Sequence, residues 1–323
     1  MTTLQRPLLD IAPRHLLILA APIAVVAFTE FLLLWYSDGG IARDWSIIPD
    51  PAYAELTSRY RALAAFVFFV TISAAVIAIF ACDVLWRFAL WARLKILLAL
   101  ILTVVAALGF SALKPEELDI FDTYQLLGGD LFHTALGAAR TGAGGTGFHM
   151  MKWLVEASSQ VVAFSATAAL AGIVLALAYR KDAETPAEHA EILREAQATA
   201  HRYLYCAGLL LTSGMIWVHA WMSWPATVLA DEADRQAFTA LVDAFSLFRG
   251  TSFTLLILSV YLPVQLVLTT RLDAFRRGLP AETGIADADM PAPGSYTDAL
   301  KTITAIVAPI LVSVIDTAWS VSF

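Results

Sequence analysis

Six times along this chain a run of about twenty residues passes with almost no charge, the length a helix needs to cross roughly 30 Å of hydrocarbon. The runs fall near 15–36, 62–82, 91–113, 152–179, 202–224 and 250–270. A seventh, Ile303 to Phe323, is near the minimum length and contains Pro309 and Asp316. It can span, re-enter or lie on the surface, and spanning is the expectation. With no water in a bilayer core, every backbone N–H and C=O must be satisfied within its own segment, which helices do and isolated strands do not. The expected fold class is therefore all-α, a polytopic transmembrane helical bundle of six spans with a seventh C-terminal membrane helix. Composition agrees: 59% hydrophobic and 15% charged residues lie well outside the roughly 45–50% and 25% of soluble domains.

Residues 1–277 are read as the six-span domain with helical outer loops, 278–300 as a flexible acidic linker rich in proline and glycine, and 301–323 as the membrane-associated or spanning C-terminal helix. The apolar run after Arg14 is too long for a cleaved signal peptide, so it reads as a retained first span. Arg6, Arg14, Arg87, Arg93, Lys95, Arg180, Lys181, Arg202, Arg271, Arg276 and Arg277 all fall on one side if the N-terminus is cytoplasmic, the arrangement the positive-inside rule predicts for a cell inner membrane. The opposite loops, near 37–61, 114–151 and 225–248, carry fewer cations, and the last two are acidic, a surface that concentrates cations. A net charge of -7 without clustered Lys and Arg excludes a nucleic-acid partner. The expected partners are the lipid bilayer and further copies of the chain or other membrane subunits. Cys82 and Cys206 fall at helix ends on the reducing side, so neither a disulfide nor a cysteine metal cluster is expected.

Local signals place helix starts. Thr185-Pro186-Ala187-Glu188 reads as a capping box with proline at the first helical position, opening a charged helix that runs into the fifth span. Asp50-Pro51 and Asp231 read as N-caps. Behind Asp231, the spacing of Phe238, Leu241, Val242, Phe245 and Phe248 predicts a short amphipathic helix on the outer surface. Gly142-Ala143-Gly144-Gly145-Thr146-Gly147 resembles phosphate-binding glycine loops, but no strand precedes it and Phe148-His149 stand where a P-loop needs Lys then Ser or Thr. It reads as a hinge, and no cofactor is expected.

Chemistry points to the carboxylates inside spans. An ionised one near the bilayer centre costs about 2.5–3.5 kcal/mol even on the lenient insertion scale, so such groups face protein or water. Glu30, Glu156 and Asp316, with His219, are expected at similar depth. Glu156, Gln160, Ala163, Thr167 and Ala171 recur at helical spacing as one small, polar stripe. Gly208, Thr212, Met215 and His219 repeat the pattern on the fifth span, and Thr302, Pro309, Ser313, Asp316 and Ser320 on the last. The bland alternative is ordinary helix packing, with Glu156 paired to Lys152. Glu30 has no cation on its own helix, and Arg249, Lys152 or His219 are the candidate partners.

The sequence reading is therefore a cation- or proton-permeable channel or transporter, the candidate pore or ion-coupling residues being Glu30, Glu156, Gln160, Thr167, Thr212, His219 and Asp316. One alternative is a non-catalytic subunit or anchor of a larger complex. Another is a membrane-embedded metal- or haem-binding enzyme, for which His133, His149 and His219 are weak ligand candidates because no pair sits at ligating spacing. No G-x-S-x-G elbow supports a serine hydrolase.

Overall fold

The computed structural model describes residues 9–36, 52–112, 146–180, 185–278 and 296–320. These are almost entirely helical. We label the helices α1 (Pro13–Leu16), α2 (Ala20–Tyr36), α3 (Ala52–Arg87), α4 (Leu90–Ala112), α5 (Thr146–Leu175), α6 (Pro186–Met222), α7 (Glu232–Gly278) and α8 (Tyr296–Ser320). A 3-10 turn, Leu17–Leu19, joins α1 to α2, and another, Trp224–Val228, follows α6.

Among the described residues, five helical stretches are long and apolar enough to cross a membrane: Pro13–Leu32, Thr57–Arg87, Trp153–Leu175, Pro186–Val228 and Glu232–Gly278. Their outward faces fit that solvent. Trp86 and Trp91 are 82% and 76% exposed beside Arg87 and Arg93, where indole rings and cations straddle a membrane interface. Leu94, Leu97, Leu98, Ile101, Leu102 and Val105 leave one side of α4 bare and apolar, a patch that water would not tolerate.

Helix α6 is the hub, packing against α3, α5, α7 and α8. Two glycines let it and its neighbours close. A Cβ at Gly172 of α5 would lie 2.1 Å from the ring of Tyr203 on α6, and one at Gly208 of α6 would lie 2.6 Å from the carbonyl oxygen of Ala305 on α8. Small residues permit such backbone approach where no hydrophobic effect drives helices together. Gly208, read from the sequence as part of a polar path, is thus a contact point for the C-terminal helix.

The start of α6 forms as its capping box predicts. Glu188 N donates to Thr185 Oγ1 at 3.3 Å, while Thr185 N donates to Glu188 Oε2 at 3.2 Å. The helix then continues unbroken for 37 residues into the apolar core. Thr185→Ala removes one partner of that box, and the expected loss is about 1 kcal/mol, checked by the unfolding midpoint in detergent.

Asp231 caps α7 as expected, accepting from Ala233 N at 2.9 Å. The separate outer helix does not exist, however. Residues 232–248 are the first turns of one 47-residue helix that includes Gly250 and Pro263. Phe238, Val242 and Phe245 are buried, so the amphipathic face is packed against the bundle and nothing in its surroundings stops the helix. Asp50, the glycine-rich stretch up to Gly145 and the linker from 279 to 295 lie outside the described residues.

At the cation-rich end, residues 9–12 lie across the bundle. Leu9 N donates to Arg87 O at 2.9 Å, Ala89 N donates to Leu9 O at 3.1 Å, and Asp10 and Tyr179 exchange backbone bonds at 3.0 and 2.9 Å. Lys95 Nζ reaches Asp10 Oδ1 at 3.0 Å. Arg93 Nε donates to Phe88 O at 2.7 Å and Arg271 Nη1 to Leu177 O at 3.1 Å, so arginines satisfy carbonyls that helix ends leave without intrahelical donors. Arg202 pairs with Asp83, to which the buried Tyr203 hydroxyl donates at 2.8 Å. Five of the cations assigned to one side from the sequence, Arg87, Arg93, Lys95, Arg202 and Arg271, therefore share one end of the molecule. Cys82 and Cys206 are free thiols.

Candidate functional site

A cavity of about 550 Å³ lies among α2, α5, α6 and α7, touched by Thr103 of α4. Its volume falls within the 300–1,000 Å³ usual for small-molecule sites. Most of the wall is aliphatic and aromatic, including Trp217, Trp221, Phe245 and Phe253. Trp217 and Trp221 sit four residues apart on α6, which puts both rings on one helical face.

Among the lining residues, the charged ones are Glu30 of α2 and Arg249 of α7, and they pair with each other. Each side chain is 19% exposed. Arg249 also lies over the Phe245 ring, 5.2 Å from its centroid. Of the three partners proposed for Glu30 from sequence, Arg249 is therefore one that the structure supplies. Glu30 stands fifteen residues past His15, which contacts Arg271 at 3.3 Å, so the pair lies about 22 Å of helix from the cation-rich end.

Helix α5 contributes Val155, Ser158, Ser159, Gln160, Ala163, Thr167 and Leu170. The small, polar stripe seen in the sequence thus includes cavity wall at Gln160, Ala163 and Thr167. Gln160 is exposed, which places it at the rim, and Thr167 is buried. Four hydroxyls on the wall donate to their own helices: Thr29 to Val26 O at 3.1 Å, Thr103 to Ala99 O at 2.8 Å, Ser158 to Val155 O at 2.7 Å and Ser252 to Phe248 O at 2.9 Å. Their protons are engaged, so what remains to a guest is acceptor capacity.

Trp217 is the reverse case. It is 2% exposed, packs edge-on to Phe66 at 5.1 Å, and its Nε1–H has no hydrogen-bond partner among the described residues. A buried donor left unmade costs roughly 1–3 kcal/mol, and this one belongs to a residue of the cavity wall.

The remaining sequence candidates sit elsewhere. Thr212 has a buried hydroxyl with no partner among the described residues and does not line the cavity. His219 Nδ1 meets Ser246 Oγ at 3.4 Å, joining α6 to α7 beside the cavity rather than within it. Glu156, His149 and Asp316 stand on described helix backbone, but their side chains, like the whole of His133, lie outside the described residues. Among those residues, no three His, Cys, Asp or Glu side chains gather as metal ligands.

Sequence reasoning named Arg249 only as a partner, and left Trp217, Trp221 and Ser252 unremarked. Arg249 carried a usable signal, being an arginine directly before an apolar run. The tryptophans did not, because indoles near span ends are ordinarily interface anchors. No protein family, curated protein or solved structure matches this chain.

Proposed function

We propose that this chain is a membrane carrier that binds a small solute in the cavity between α2, α5, α6 and α7, rather than an open cation pore. The observation that carries this reading is the Glu30–Arg249 pair on the wall of that cavity. An acid-lined pore draws cations because its carboxylates are not neutralised in place. Here the guanidinium of α7 offsets the carboxylate of α2, so a bare cation is repelled about as strongly as it is attracted. A mostly apolar chamber with a few convergent polar groups is instead the ordinary form of a small-molecule site.

In this reading the chain has six spans, with α4 as the one beyond the five long apolar stretches. Its 23 residues and bare apolar side support that placement. Helix α8 packs on α6 and α7 as a seventh. The cation-rich end, which holds the N-terminal segment, faces the cytoplasm.

The test is electrical. Reconstituted in a voltage-clamped planar bilayer, the wild-type chain is expected to give no steady cation or proton current above the lipid background. A standing current that Glu30→Gln abolishes would replace the carrier with a pore.

A further inference from the structure

The cavity wall is specific about the kind of molecule it suits, and this inference rests on the carrier reading. Glu30 offers a carboxylate, while Thr103, Ser158 and Ser252 offer oxygens whose protons are already donated elsewhere. Together these suit a donor-rich cationic group. Arg249 carries a forked guanidinium, which suits an anionic, acceptor-rich group. Thr29, Ser159, Gln160 and Thr167 are the other polar residues of the wall, and the remainder is apolar or aromatic.

We propose that the cavity takes a zwitterion on an apolar body, with its anionic group toward Arg249 and its cationic group toward Glu30 and the hydroxyl oxygens. The two charged side chains cancel for any singly charged guest, so a lone cation or anion gains on one and loses on the other. A guest bearing both charges gains on both. Its apolar body covers the aliphatic and aromatic wall. A free amphipathic amino acid and the head region of a zwitterionic lipid share this chemistry.

The purified full-length chain in a non-ionic detergent separates the possibilities by ligand-dependent thermal unfolding. Four probes are used: L-phenylalanine, 3-phenylpropionate, 2-phenylethylamine and dodecylphosphocholine below its micellar concentration. The expected result is that L-phenylalanine raises the midpoint saturably, at about one tenth of the concentration needed by either singly charged analogue. Stabilisation by dodecylphosphocholine instead supports the same chemistry and identifies the bilayer as its source.

Glu30→Gln should abolish the preference for L-phenylalanine over 3-phenylpropionate, and Arg249→Gln the preference over 2-phenylethylamine. If either single variant does not fold, the Glu30→Gln/Arg249→Gln double variant carries the test and should lose both preferences. Equal binding of the zwitterion and either analogue would overturn the ligand class and leave the carrier standing. Saturable binding by none of the four would also overturn it, whereas a standing bilayer current would overturn the carrier itself.

Discussion

Arg249→Gln is expected to cost about 3–5 kcal/mol of stability, the usual result of removing one partner from a buried ion pair. The loss comes less from the vanished attraction than from what remains: Glu30, largely enclosed between α2 and α7, keeps a carboxylate with no counter-charge on the facing helix. The unfolding midpoint of the detergent-solubilised protein should fall by several degrees. In the Glu30→Gln/Arg249→Gln double variant, two neutral amides replace two charges, and most of the loss should return, because a pair of neutral groups in the same space is often no less stable than the ions. A double variant as unstable as Arg249→Gln alone would show that Arg249 matters through packing on Phe245 rather than through Glu30.

Gly208→Val should act at the other side of the hub. The ideal Cβ already lies 2.6 Å from a backbone oxygen of α8, and a carbonyl in a helix cannot swing aside as a side-chain tip does. Helix α8 as a whole must shift. Overpacking of this kind costs typically 1–3 kcal/mol, and a β-branched residue against backbone belongs at the upper end, about 3 kcal/mol. Faster amide exchange across residues 299–312, with exchange in α5 unchanged, is the expected signature. Unchanged exchange there would mean that α8 does not depend on the α6 contact.

How much of this was legible beforehand depends on how local each determinant is. The capping box at Thr185 and the cap at Asp231 are complete within four residues, so the sequence alone places them. The apolar runs are equally plain, since hydrophobic length does not depend on which neighbour a helix finds. Helix α7 was misread at its middle. Arg249-Gly250 resembles a terminating signal, a cation followed by a C-cap glycine, yet Gly250 is buried in a helix that continues past it. The face of residues 238–248 that appeared to suit a membrane surface is covered by the rest of the bundle.

The site was half legible. Glu30 needed a partner, and its helix had none, which narrowed the choice to a few cations across the bundle; only the crossing of α2 and α7 could select Arg249. The stripe on α5 was visible as a pattern, whereas its division into cavity wall at Gln160 and Thr167 and helix contact beyond depends on where α2 and α6 lie. Trp217 was invisible because its importance lies in an absent acceptor, and a sequence does not show which donors go unmet.

Asp10 and Tyr179 stand 169 residues apart, and that separation sets a schedule for biogenesis. At a synthesis rate of roughly 5–20 residues per second, Tyr179 leaves the ribosome on the order of ten seconds or more after Asp10. Until then Asp10 has none of its contacts with the end of α5, although the partners of residues 9 and 10 at Arg87, Ala89 and Lys95 have already been translated. The segment is thus fastened in two stages, first to α3 and α4 and only later to α5.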